Sequence, residues 1–253
     1  TVMSKDKYTF IIGSNATKTA RSPKVWNAWY REKRLPRSMI AIDVTTPEDL
    51  QATLTQLEQD DACLGGAIAV PYKEAAARYC NAAHDAVNCL YKSKAGHFIG
   101  ENTDGIAGVG LIEGNLAPAV PLFIIGFGVT CKAIYASLSV RRKANTAIFV
   151  RTPCPGAETH QLSEIHRWAR EKQQFAIFNA TTLGGPVGAS ESLFSDAQLL
   201  EFKSQGLLKW IDINNEQNPL SAVHSACVGA GIEFINGNSM NKQQAEVAFE
   251  LVN

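Results

Sequence analysis

PLFIIGFGVTCKAIYASLS, residues 121–139, sets a short apolar run, a glycine pair and a helix-like segment in succession. Leu122 to Ile125 carry no charge and read as a buried strand, and the residues after Gly128 read as a helix packed beside it. Gly126 and Gly128 stand where strand becomes helix, so the backbone there can approach a pyrophosphate while helix N–H groups face it. Cys131 takes the third position of G-x-G-x-x-G, small but not glycine. Two readings remain open for this pair: a phosphate-binding turn, or a tight strand-to-helix turn that uses glycine for steric reasons alone.

The segments downstream alternate in the same way. NTAIFVRT reads as the next strand, THQLSEIHRWAREK as a helix, QFAIFNATTLGG as a strand entering a loop, LLKWIDI and IEFING as further strands, and SMNKQQAEVAFELV as a closing helix. Upstream, YTFIIGS, SPKVWNAWYREK, SMIAIDV, TPEDLQATLTQLEQ, GGAIAV and KEAAARYCNA give a βαβαβα series, which argues for a mostly parallel sheet. Thr46 before Pro47, Glu48 and Asp49 predicts a helix start, with a hydroxyl N-cap, a proline in the first turn and acids near the positive end of the dipole. AVNCLYK and HFIGEN, separated by SKAG, read as a hairpin, and DGIAGVGLIEGN as a glycine-rich helix before a linker marked by Pro118 and Pro121. The whole is an α/β chain of 253 residues in two domains, the second a doubly wound nucleotide-binding unit.

Composition narrows the function. Lys plus Arg and Asp plus Glu each total 24, so the formal charge is zero, which argues against a nucleic-acid partner. The six cysteines form no C-x-x-C pair and have no metal-ligand spacing to the five histidines, so no metal site is expected and a reducing compartment fits. TVMSKDKYTF has no apolar signal core and no uncharged run is long enough to span a bilayer, so a soluble, cytoplasmic protein is expected.

Charged residues at the predicted strand ends are the candidates for chemistry. Arg151 follows the strand after the glycine turn, with no acid nearby to hold a ribose 2′-hydroxyl; it is either a partner for the 2′-phosphate of NADP or a solvated strand-end arginine. Lys73, in AVPYKE, stands at the carboxyl edge of the first sheet, and Asp104 at the turn between HFIGEN and GIAGVGLI. Read singly, these are a solvated helix-start lysine and a helix cap. Read together, they form an ion pair able to move a proton at an alcohol or ketone.

In this order, SPKVWNA, AVPYKE, DAVNCL, GENTDGIAG, GFGVTCKA, VRT, NATTLGG, WIDI and NGNSMNKQQAEVAFEL resemble the shikimate dehydrogenase family over nearly the whole chain. The resemblance implies an N-terminal α/β substrate-binding domain, residues 1–103 completed by the C-terminal helix 238–253, and a Rossmann-like NAD(P)-binding domain, residues 104–237, with a cleft between. It also implies a catalytic dyad of Lys73 and Asp104, and substrate contacts from Ser22, Asn88, Asn102 and Gln244. The implied cofactor residues are Gly126, Gly128, Val129, Arg151, Thr152, Asn179, Thr181 and Gly237. The implied reaction interconverts a ring secondary alcohol and ketone in aromatic amino acid biosynthesis, on a small-molecule substrate. NADP is the first-choice cofactor, with NAD open, in a monomer or homodimer.

The chain departs from the family pattern on the substrate side. Where the family shows Ser-x-Ser-Pro, this chain has Ala20, Arg21, Ser22 and Pro23, so one hydroxyl of the pair remains. The threonine of V-T-x-P-x-K is replaced by Ala69, and the tyrosine after WIDI by Asn215. A hydrogen bond to a charged group contributes about 1.5–3 kcal/mol, so one lost serine–carboxylate contact weakens binding by about ten- to a hundredfold. The altered contacts leave three readings: a changed substrate, shikimate held by rearranged contacts, or a ligand- or dinucleotide-binding regulatory protein; Arg21 is either a substitute carboxylate partner or a side chain pointing to solvent.

Overall fold

The computed structural model describes residues 6–253. Residues 1–5, within the start of the chain read above for a leader and within the expected first domain, lie outside the described residues. Two compact units are present: the described residues up to Thr103 with Gln244–Asn253, and Asp104–Gln243. The second boundary falls inside the closing helix, where the sequence places it at 237/238.

The first unit contains β1 (Lys7–Gly13), α1 (Ala16–Thr19), α2 (Ser22–Glu32), β2 (Arg37–Asp43), α3 (Pro47–Gln59), β3 (Cys63–Ile68), α4 (Lys73–Tyr79), β4 (Cys89–Lys92) and β5 (Phe98–Glu101). Its sheet runs β2-β1-β3-β4-β5. β1 pairs in parallel with β2 and β3, and the β4–β5 hairpin adds antiparallel strands. Alternation along β1 divides the core: Phe10 and Ile12 pack with Leu50, Leu54 and Leu57 of α3, while Ile11 packs with Trp26 and Tyr30 of α2. Those helix positions are three or four apart, so each helix presents one apolar stripe. Thr46 caps α3 as read, its hydroxyl accepting from the Asp49 N–H at 3.1 Å. Phe249 of the closing helix inserts among Trp26, Trp29 and Tyr30 with ring centroids 5.1–5.2 Å apart.

The second unit begins within α5 (Thr103–Asn115) and continues through β6 (Leu122–Ile125), α6 (Val129–Ser137), α7 (Val140–Ala144), β7 (Thr146–Val150), β8 (His160–Gln161), α8 (Ile165–Arg170), β9 (Phe175–Asn179), α9 (Asp196–Ser204), β10 (Leu207–Asp212), α10 (Ala222–Gly229) and β11 (Glu233–Ile235) into α11 (Asn238–Val252). All strand pairs are parallel, in the order β11-β10-β9-β6-β7-β8. Counted within the unit this is 3-2-1-4-5-6 from β8 to β11, the doubly wound dinucleotide-binding order, with its switch point between β6 and β9. Both faces are covered: Phe123 and Ile125 face one apolar cluster, Leu122 and Ile124 the other.

Two local readings change. THQLSEIHRWAREK is not one helix: His160–Gln161 pair with β7, a 3₁₀ turn spans Leu162–Glu164, and the α-helix is only Ile165–Arg170. Edge pairing takes the first residues, and a Gln161/Glu164 capping box resets the start. Asp104 does not cap a helix either; α5 begins at Thr103, which puts Asp104 inside its first turn.

Candidate functional site

In the second unit, the switch point places the β6–α6 turn beside the loop that follows β9. Gly126 has φ +98°, a left-handed conformation that favours glycine, and a Cβ there would lie 3.0 Å from Thr181 Cγ2. Gly128 is the N-cap of α6, with no side-chain cap and no acid in the first turn, and a Cβ there would meet no protein atom within 4 Å. The positive end of a nine-residue helix therefore opens beside an unobstructed glycine. An arrangement of this kind can hold an anionic group such as a pyrophosphate. Val129 is partly exposed at the same turn. Cys131 is buried, its thiol pushed by burial up to about 12, and fills the position of the third glycine as a packing residue. Arg151 and Thr152 are exposed immediately after β7. Arg151 lines a groove with Gln161, Ser163, His166 and Gln198. A glycine turn, a free helix N-terminus and a strand-end arginine fit a dinucleotide with a 2′-phosphate.

Asn179 and Gly237 have structural duties. Asn179 is fully buried; its Nδ2 donates to Leu183 O at 2.8 Å and Asp212 Oδ2 at 2.9 Å, and its Oδ1 accepts from Thr181 N and Oγ1. Gly237 is set by backbone packing, since a Cβ there would overlap the carbonyl of Ile213. Asp212 and Asn214 complete the Asn179 network, and the sequence reading passed over both. Burial pushes the Asp212 carboxyl above the usual carboxylate range, against hydrogen bonds from Asn179, Trp210 and Asn214 that lower it. The sequence offers only an acid at the end of the largely apolar run LLKWIDI; once that strand is known to be interior, the acid is buried and needs donors.

In the first unit, Asn88 and Gln244 come together around Thr103, a residue the sequence reading did not single out. Thr103 is fully buried; its N–H donates to Asn88 Oδ1 at 2.8 Å, and its hydroxyl lies 3.0 Å from Asn88 Nδ2 and 3.4 Å from Gln244 Oε1. The hydroxyl has two acceptors for its proton, Asn88 Oδ1 at 3.2 Å and Gln244 Oε1 at 3.4 Å. Asn102 is buried, its Nδ2 donating to Ala86 O at 3.0 Å. Its own N–H donates to Glu101 Oε1, which also lies 2.7 Å from His84 Nε2. Lys73 is half-buried at the first position of α4, and its carbonyl accepts from Val87 N at 3.0 Å, tying α4 to the segment before Asn88. Ser22 opens α2 half-buried, and Ala69 follows β3 beside Gly13 and Ala16. Asp104, the first residue of the second unit, is half-buried.

Residues 11–90 match the family model of the shikimate dehydrogenase substrate binding domain. A shikimate dehydrogenase of Thermotoga petrophila is 27% identical over 240 residues, covering 88% of this chain and 85% of its own. The chain is similar to the shikimate dehydrogenases. An NADP(+) shikimate dehydrogenase of Lysinibacillus sphaericus is 25% identical over 152 residues, 56% of this chain and 54% of its own. In fold, the chain matches the Listeria monocytogenes shikimate 5-dehydrogenase solved in complex with shikimate and NAD, with a TM-score of 0.76, 18% identity, and coverage of 99% of this chain and 92% of that one. The motif resemblance is thus met by a family model, by curated relatives and by the fold. Among the described residues no helix is long and apolar enough to cross a membrane.

Proposed function

We propose that the protein is a shikimate dehydrogenase-like oxidoreductase that interconverts a ring secondary alcohol and its ketone with a nicotinamide dinucleotide. One observation carries the reading: the match of residues 11–90 to a substrate binding domain accompanies a 3-2-1-4-5-6 parallel sheet with the Gly126/Gly128 turn at its switch point. When bound, the dinucleotide accepts or gives the hydride at its nicotinamide C4. Lys73 and Asp104 take the hydroxyl proton as the alcohol becomes a ketone and return it in reverse, so the net change is alcohol plus NADP⁺ to ketone, NADPH and a proton. Asn88 and Gln244, oriented by Thr103, hold substrate oxygens; Ser22 and Asn102 add polar contacts.

NADP is the preferred cofactor in this reading. Arg151 is exposed at the strand end with no acid in the adjoining VRT segment, and the Lysinibacillus sphaericus relative is an NADP(+) enzyme. The NAD named with the Listeria monocytogenes structure keeps NAD as the second candidate. Ala20 and Ala69 in place of the family's hydroxyls support a substrate other than shikimate, a cyclic polyol or hydroxy acid with a differently placed carboxylate. The test is a panel of such compounds, shikimate and quinate included, each with NAD and NADP, followed by absorbance of the reduced nicotinamide. Turnover of one ring alcohol supports the reading; dinucleotide binding without any turnover would favour a binding protein.

A further inference from the structure

The Asp212 carboxylate is buried at the end of β10 and receives four N–H donors. Asn179 Nδ2 and Trp210 Nε1 reach Oδ2 at 2.9 and 3.0 Å, and Asn214 N and Nδ2 reach Oδ1, both at 2.8 Å. Two of these donors belong to side-chain amides, which have two orientations related by a flip. Against a carboxylate only one survives, because the flipped amide would face oxygen with oxygen.

Both amides act on the same loop. Asn179 holds Thr181 N, Thr181 Oγ1 and Leu183 O, while Asn214 Nδ2 donates to Thr181 O at 3.0 Å and Leu183 O at 3.1 Å. The glycines of the loop sit close in: a Cβ at Gly184, where φ is +93°, would be 3.6 Å from Asp212 Oδ2, and one at Gly185 would be 2.5 Å from Asn214 Oδ1. Through Thr181 and Ala180 this loop packs against Gly126, and Ala180 N donates to Ile125 O at 2.9 Å.

We propose that Asp212 is a positioning residue for the dinucleotide site, fixing Asn179 and Asn214 in the amide orientation that clamps the 181–185 loop against the Gly126 turn. The inference rests on the dinucleotide reading above for its ligand and on the network alone for the clamp. Charge makes the test directional. Removing a carboxylate near a pyrophosphate site strengthens dinucleotide binding by Coulomb's law, whereas losing the clamp weakens it.

The experiment compares the full-length wild-type chain with Asp212→Asn and Asn214→Asp. NADP binding is followed by calorimetry, and backbone hydrogen exchange of the 180–188 segment is measured without ligand. The clamp predicts loop exchange about tenfold faster in both variants and an NADP Kd about tenfold or more higher in Asp212→Asn, with the loss appearing in Kd and KM for NADP rather than in kcat at saturation. If Asp212→Asn does not fold, Asn214→Asp, at a half-buried position, supplies the exchange test by setting a carboxylate against the carbonyls of Thr181 and Leu183. Unchanged loop exchange, or tighter NADP binding by Asp212→Asn, would overturn the clamp. A wild-type protein that binds neither NAD nor NADP would instead sink the functional reading.

Discussion

Lys73 and Asp104, to which the proposed function assigns the proton chemistry, stand in the first turns of α4 and α5. An acid in the first turn has a favourable interaction with the helix dipole, about 0.3–1 kcal/mol, which Asp104→Ala forfeits. As an acid–base group, each of Lys73→Ala and Asp104→Ala lowers kcat by about 10²- to 10⁴-fold. The double variant is little worse than either, since residues that act as a unit are non-additive. Melting temperature and kcat on the same proteins check this; a fully active Asp104→Ala would refute the assignment. Arg151→Ala should raise the Kd for NADP by more than that for NAD, because only NADP carries the 2′-phosphate. Titration with both dinucleotides decides it, equal losses leaving Arg151 as a solvated strand end. The sequence showed these charges at strand ends, but it did not show Thr103 or Asp212. A threonine in NTD has no periodic signal, and a buried acid is visible only once the strand around it is known to be interior.

At the level of elements, the β6–α6 turn gives opposite expectations for its two glycines. A Cβ at Gly128 meets no atom of the described residues within 4 Å, so Gly128→Leu should keep the wild-type melting temperature and abolish dinucleotide binding by steric block. Gly126→Ala should lower the melting temperature, because φ is +98° and the added methyl presses on Thr181. Thermal unfolding with a binding titration on both variants checks the pair, and unaltered binding by Gly128→Leu would mean that the turn holds no phosphate. α2 and the end of α11 form an aromatic joint around Phe249, and Phe249→Ala should cost about 3–5 kcal/mol, read by urea unfolding. The strands, the β4–β5 hairpin and the Thr46 cap were legible because period and capping chemistry are local. The 160–170 region was not, since pairing with β7 is a long-range choice that overrides helical spacing.

For the whole molecule, four buried thiols make stability depend on alkaline pH. Burial raises Cys63 to about 11 and Cys89, Cys131 and Cys227 to about 12, against 9.0 for an exposed thiol. The folded protein therefore keeps these protons where the unfolded chain has lost them. This contribution is complete below about pH 9 and is lost progressively as pH rises toward 12. Urea midpoints measured from pH 8 upward should fall across that window, and less steeply for Cys227→Ala; parallel slopes would remove the thiols as the cause.

The amino-acid sequence by itself determined the α/β class, the glycine turn and the motif order, because hydrophobic period, turn chemistry and residue spacing are properties of neighbouring residues. Tertiary structure alone decided the 3-2-1-4-5-6 strand order, the grouping of Asn88, Thr103 and Gln244, and the Asp212 clamp on the 181–185 loop. Each of those depends on which distant segments share a sheet and on which buried polar groups must find partners there, and burial is settled only when the whole unit has packed.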